Sequence, residues 1–333
     1  MEQFIRKDEK VNGIPWLVKV LIAGVLAFAF LNILSFFYYN VPARVSVEDG
    51  ASEYKWPAYS FHSQATEGLG FGRVNNDGYN NLADFTENSE IDVLLMGSSH
   101  FEGFNVLKDE NTAAVLNRIC DKTVYNIAVS EHTMLRCISN LENALKKYKP
   151  TEYVVIETMT VSFYDAEIEN ALNRENRLPT YSGAIMDVLQ NMKYLKLVYH
   201  QYDNLKASSP KENEVLNNKA LIDKLLEEAN KTCEEHGVKL IVVFHPTLTF
   251  DNDNNVYALY NREDERILRE SCEEKGIVFV NMEEEFIAYY KTEHKLPHGF
   301  DNTTPGAGHL NSTGHMLIAE KVKEVMEAVE NDF

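Results

Sequence analysis

Five short apolar runs, spread over the last three quarters of the chain, leave it few folds to choose from. They are Ile91–Met96, Val124–Val129, Tyr153–Thr158, Lys239–Phe244 and Ile277–Met282. Each is rich in β-branched and aromatic residues and nearly continuous in hydrophobicity, the pattern of parallel strands buried on both faces. Between them lie stretches such as Glu131–Lys147 and Arg262–Glu274, with apolar residues at three- and four-residue spacing. Cys233-Glu234-Glu235-His236-Gly237 and Cys272-Glu273-Glu274-Lys275-Gly276 each close such a stretch with the glycine that a left-handed helix cap requires. Strands alternating with helices predict an α/β domain over residues 91–333, with a central parallel sheet covered on both sides. One connection exceeds the scheme. Residues 161–235 read as a helical insertion rich in Tyr and Asn, either a lid beside a strand end or a plain elaboration.

The N-terminus belongs to a different solvent. No charged residue occurs between Val20 and Tyr39, and about 20 such residues span a bilayer core. Trp16 at one end and Phe36, Phe37, Tyr38 and Tyr39 at the other suit the two interfacial belts. Residues 15–40 are therefore expected to form an anchor after a tail at 1–14. Arg6, Lys7, Lys10 and Lys19 precede the span and only Arg44 closely follows it. By the positive-inside rule the N-terminus is cytoplasmic and the main domain extracytoplasmic, on a single-pass protein of the cell membrane. A signal sequence cleaved near Val41-Pro42-Ala43 is the alternative, and the apolar stretch is longer than a signal core requires. The net charge of −19 disfavours nucleic acid as a partner. Residues 41–90, with Glu67-Gly68-Leu69-Gly70-Phe71-Gly72 and Asn75-Asn76-Asp77-Gly78, read as a stalk packed back on the main domain. Their glycines suggest turns rather than a phosphate cradle. The four cysteines show no metal spacing and are expected to be free thiols.

In an open parallel sheet, ligands bind beyond the carboxyl ends of the strands. Ser98, Ser99 and His100 follow the first run; Ser130, Glu131 and His132 follow the second. Glu157-Thr158-Met159-Thr160 ends the third, and His245-Pro246-Thr247 the fourth; a later loop carries His309. A serine is a weak nucleophile until a base takes its proton, and histidine has the pKa to do so near neutrality. His315, in the final helix, is expected to be structural. Neither HExxH nor HxH occurs, so no metal and no cofactor is expected.

Gly97-Ser98-Ser99-His100 and His309-Leu310-Asn311-Ser312-Thr313-Gly314 resemble the first and last signature blocks of the SGNH (GDSL-like) hydrolase superfamily, over roughly residues 88–330. The resemblance implies a flavodoxin-like three-layer αβα domain, with Ser99 as nucleophile and His309 as general base. Within the superfamily it resembles membrane-anchored members thought to accompany membrane-bound O-acyltransferases in envelope-polymer acylation. That implies acyl transfer or ester hydrolysis on a cell-surface polysaccharide or teichoic-acid-like polymer. The backbone N–H of Ser99, with Glu131 and Thr160, would form the oxyanion hole, and His100 and His245 would meet substrate. Three positions depart from the family pattern. Glu131 stands in place of a glycine. The third block lacks its asparagine, leaving Thr160 or nothing. Gly306 occupies the usual place of the triad carboxylate, so Asp301 is the candidate, a turn role being its alternative. A catalytically degenerate module that binds polymer or an acyltransferase is the competing expectation.

Overall fold

A computed structural model describes residues 15–173 and 215–331. Helix α1 (Trp16–Tyr38) leads, exposed along nearly its whole length. At 1.5 Å per residue it is roughly 35 Å long, enough to cross a hydrocarbon core. The segment after it is more ordered than a stalk. Five short strands follow: β1 (Tyr39–Asn40), β2 (Val45–Ser46), β3 (Tyr54–Lys55), β4 (Phe61–Gln64) and β5 (Gly70–Arg73). Strands β1, β4 and β5 form an antiparallel sheet in that order, and β2 pairs with β3. Because β1 starts where α1 stops, the helix runs directly into this sheet.

The main domain then alternates as the five runs require. It runs β6 (Val93–Met96), α2 (Ser99–Glu102), α3 (Thr112–Ile119), β7 (Val124–Asn126), α4 (Met134–Tyr148), β8 (Tyr153–Thr158) and α5 (Asp165–Leu172). After residues 174–214 come α6 (Lys219–Glu235), β9 (Lys239–Phe244), the hairpin β10 (Thr247–Phe250) and β11 (Val256–Leu259), and α7 (Arg262–Glu274). The chain closes with β12 (Val278–Asn281), α8 (Glu283–Glu293) and α9 (Ser312–Asn331).

Strands β12, β9, β8, β6 and β7 form one parallel sheet in that spatial order. This is the doubly wound flavodoxin-like order, and its switch point lies between β6 and β8. Alternate residues serve opposite layers: Leu94 and Met96 join one core with α4 and α6, and Val93 and Leu95 join the other with α3 and α9. The α/β three-layer architecture expected from the sequence is the one observed. Strand β7 is shorter than its apolar run, yet Ile127 and Val129 still donate to the carbonyls of Leu95 and Gly97. Helix α4 starts at Met134, where the Thr133 side chain accepts from the Arg136 N–H. Much of the expected helical insertion at 161–235 lies outside the described residues. Its last part, α6, packs against α4, α7 and β9 as an ordinary crossover helix. Cys120 is half-buried, Cys137, Cys233 and Cys272 are buried, and all four are free.

Candidate active site

The site lies at the switch point, where β6 ends in Gly97. A Cβ at Gly97 would sit 2.6 Å from Oε2 of Glu157 and 2.9 Å from its Cβ, so only glycine admits that carboxylate. The Ser98 N–H (2.7 Å) and hydroxyl (2.9 Å) both donate to Glu157 Oε2. Ser98 is also the N-cap of α2, its oxygen accepting from the His100 N–H. This turn delivers Ser99, half-buried, at the first position of a four-residue helix.

His309 arrives from the loop before α9, with Nε2 2.9 Å from Ser99 Oγ. Its Nδ1 lies 2.7 Å from Oε2 of Glu67, and its backbone N–H donates to Oε1 of the same carboxylate at 2.6 Å. A carboxylate can only accept here, so Nδ1 carries the ring proton and Nε2 offers its lone pair to the Ser99 hydroxyl. Glycine is required again: at Gly308 (φ +89°) a Cβ would stand 2.1 Å from Glu67 Oε1.

The carboxylate expected at Asp301 is thus supplied by Glu67, from the segment ahead of the main domain. Asp301 is exposed in a turn. Its neighbour Asn302 does the local work, accepting from the Gly68 N–H (2.9 Å) and donating to the carbonyls of Ala65 and Gly68, both at 3.0 Å. Asn105 adds a bond to the Glu67 carbonyl (2.9 Å). The Gly-rich stretch at 67–72 is therefore the seat of a site residue as well as a turn.

Glu131 takes the left-handed conformation, φ +72°, which the glycine of the family pattern would adopt freely. Its carboxylate turns outward to Arg44, with bonds of 2.9 and 3.2 Å, and the Arg44 guanidinium lies 4.2 Å from the Tyr54 ring centre. Thr160 is exposed, and its hydroxyl is engaged with the Ser162 backbone. Its side chain is spent on that local turn.

His100 and His245, expected to meet substrate, are instead buried beneath the site. The Leu310 N–H donates to His100 Nδ1 at 3.3 Å, and the His100 ring centre is 5.1 Å from that of His309. His245 Nε2 donates to Glu157 Oε1 at 2.8 Å, and its Nδ1 lies 3.2 Å from His298 Nε2. Burial, reinforced by the neighbouring histidines, holds His100 and His298 well below the usual imidazole range. One ring nitrogen from each of His100, His245 and His298 lies within 4.8 Å of the others, a spacing that three metal ligands could share. The hydrogen bonds order them otherwise. With Nδ1 of His100 accepting from Leu310, its Nε2 carries the proton, whereas a ligating nitrogen must carry none. His298, His245 and Glu157 form a hydrogen-bonded chain that ends at the Ser98 turn, with the His100 ring packed beside it. His315 is buried as expected, its Nδ1 bonded to Thr112 Oγ1 at 2.8 Å. The sequence reading assigns no role to Glu67, His298 or Asn302, and names Glu157 only as a strand-end group on the rim.

A second buried acid sits at the far end of α2. Glu102 accepts from Trp56 Nε1 at 2.5 Å and pairs closely with the Ser130 hydroxyl. It thereby ties α2, which carries Ser99, to the turn bearing Glu131. Burial raises its pKa to about 7, opposed by those bonds, against 4.5 for an unperturbed Glu. Between these values the unfolded chain releases a proton that the folded chain keeps. Stability therefore falls as pH rises through this window and levels off above it, at a cost of about 3 kcal/mol. Glu102→Gln is expected to remove that slope while keeping both partners. Urea melts of the two proteins at pH 5 and pH 8 would read the difference, and parallel curves would contradict the assignment.

No family model and no curated protein matches this chain. Among solved structures it is similar to the YxiM protein of Bacillus subtilis (12% identity, TM-score 0.44), covering 78% of this chain and 60% of that one. It is also similar to an acetyl xylan esterase (11%, TM-score 0.40; 70% and 98% covered). A GDSL-like lipase from Bacteroides thetaiotaomicron matches at 12% identity and TM-score 0.37, with 74% and 93% covered. Likenesses this distant assign neither substrate nor activity, and the chemistry rests on the geometry of this chain.

Proposed function

We propose that the chain is a membrane-anchored serine esterase or acyltransferase of SGNH type, with Ser99, His309 and Glu67 as its triad. The observation that carries this is the unbroken line of bonds from Ser99 Oγ through His309 to Glu67. Ser99 Oγ attacks the carbonyl carbon of an ester or thioester while its proton passes to His309 Nε2. Glu67 stabilises the imidazolium that forms. The N–H groups of Ser99 and Glu131 receive the oxyanion, the positive φ at Glu131 being what a glycine in that role would show. Collapse of the tetrahedral species breaks the acyl–oxygen or acyl–sulfur bond, and His309 gives its proton to the leaving group. The acyl group on Ser99 then passes to water or to an acceptor hydroxyl, whose proton His309 takes and returns to Ser99.

The length and apolar character of α1 support a location of this chemistry at the cell envelope, and the basic residues ahead of it support a cytoplasmic N-terminus with the domain outside. A surface polysaccharide or teichoic-acid-like polymer is the proposed acceptor and a membrane-bound O-acyltransferase the proposed partner. Anchoring favours transfer at the envelope over the action of a secreted lipase. A binding module without catalysis is the second reading, and the engagement of Thr160 with Ser162 favours it, since one oxyanion donor is then missing. A fluorophosphonate probe separates the two. Covalent labelling is expected of the wild type and not of folded Ser99→Ala; a wild type that stays unlabelled would establish the binding module.

A further inference from the structure

The small sheet β1–β4–β5 has two faces that meet different surroundings. On the inner face, His62 stacks on Phe104 at 3.8 Å between ring centres, closing the sheet against the main domain. By strand alternation and register, Phe61, Ser63, Phe71 and Arg73 share the outer face. The end of α1 sits on that face. Phe36 stacks on Phe61 with ring centres 5.2 Å apart, Phe37 approaches the same ring at 6.4 Å, and Ser63 Oγ donates to the Phe36 carbonyl at 2.7 Å. Phe71 continues this aromatic surface but is 51% exposed; Leu69, two residues earlier, is 61% exposed. Arg73, also exposed, adds a cation beside them.

We infer that this outer face seats the domain on the bilayer crossed by α1, with Phe71 and Leu69 in the headgroup–acyl boundary and Arg73 among the phosphates. Aromatic side chains and a flanking cation, continuous with a membrane-spanning helix, are what an interfacial surface presents. The consequence reaches the active site. Glu67 stands three residues beyond β4, on the connection to β5, so the sheet that lies on the membrane also carries the triad carboxylate. The substrate class that fits is an ester borne at the membrane surface, on a lipid or a lipid-linked carrier. The inference rests on α1 being a span and on the proposed ester chemistry, but lipid contact can be read without turnover.

The test uses the full chain in phosphatidylcholine vesicles containing brominated acyl chains. Trp16 is first replaced by Phe, leaving Trp56, which is buried, as a constant background. In that protein Phe71→Trp is expected to lose about half its added fluorescence to bromine, as a side chain lying in the interface would. Glu234→Trp, at the opposite end of the sheet strands, is expected to lose none. Equal quenching at the two positions would overturn the inference. A blue-shifted but unquenched residue 71 would overturn it too, because protein rather than lipid would then cover the face. In the same vesicles, Phe71→Glu is expected to slow hydrolysis of p-nitrophenyl palmitate about tenfold, the loss of one buried aromatic anchor, and to leave soluble p-nitrophenyl acetate unaffected. An equal effect on both esters would overturn the substrate assignment. Failure of the wild type on both esters, with quenching intact, would strike the esterase reading alone.

Discussion

Ser99→Ala is expected to lower kcat on p-nitrophenyl acetate by about 10⁶-fold, and His309→Ala to do nearly the same. The double variant should be scarcely worse than either. The reason lies in the 2.9 Å contact between Ser99 Oγ and His309 Nε2. A hydroxyl without its base keeps its proton, and a base without its hydroxyl has no proton to take, so neither retains part of the other's effect. A residue of about 10³–10⁴-fold over water should survive in all three variants, because the backbone donors at Ser99 and Glu131 are untouched. Steady-state turnover with thermal melts on the same samples would read this. Additive losses of a few tens each would mean that the two side chains act separately, and that a different nucleophile carries the acyl group.

The fold was legible because its signal is local and repeated. Each apolar run predicts a buried strand on its own, and Gly237 and Gly276 take the left-handed conformation expected of the helix caps. Ser99 and His309 were legible for a related reason, since both sit beside glycines at sheet-rim turns. What the motif did not carry was the purpose of those glycines. Gly97 admits Glu157 and Gly308 admits Glu67, and both partners lie far away in sequence. Within the last loop the sequence offers only Asp301, as the carboxylate or as a turn residue; the structure shows the turn role, and the loop's own contribution is Asn302. Strands β1 to β5 were missed because two to four residues, several of them Gly, Asn or Ser, give no period to count. His100 and His245 do lie at the expected rim, but beneath it, whereas His309 faces Ser99. Hydropathy gives no warning that an imidazole will be buried and satisfied by its neighbours.

Glu67→Gln is the substitution that decides whether the segment before the main domain belongs to the catalytic machinery. It is nearly isosteric, so the loop pinned by Asn105 and Asn302 should hold its path. With the amide oxygen kept at the His309 N–H, the new NH₂ faces Nδ1, where only an acceptor suits it. The ring must then place its proton on Nε2, facing Ser99, and the lone pair that should take the hydroxyl proton is gone. An expected fall of about 10⁴ in kcat, with KM little changed, follows from the wrong tautomer alone. Asp301→Asn should leave both constants near the wild-type values, as that side chain is exposed in its turn. The opposite ranking would return the triad to the last loop and reduce Glu67 to a brace. If the expected ranking holds, the carboxylate that orients His309 comes from the segment that carries the small sheet to which α1 is joined. The anchor would then matter to the chemistry itself, by fixing the strand from which the triad's third member extends.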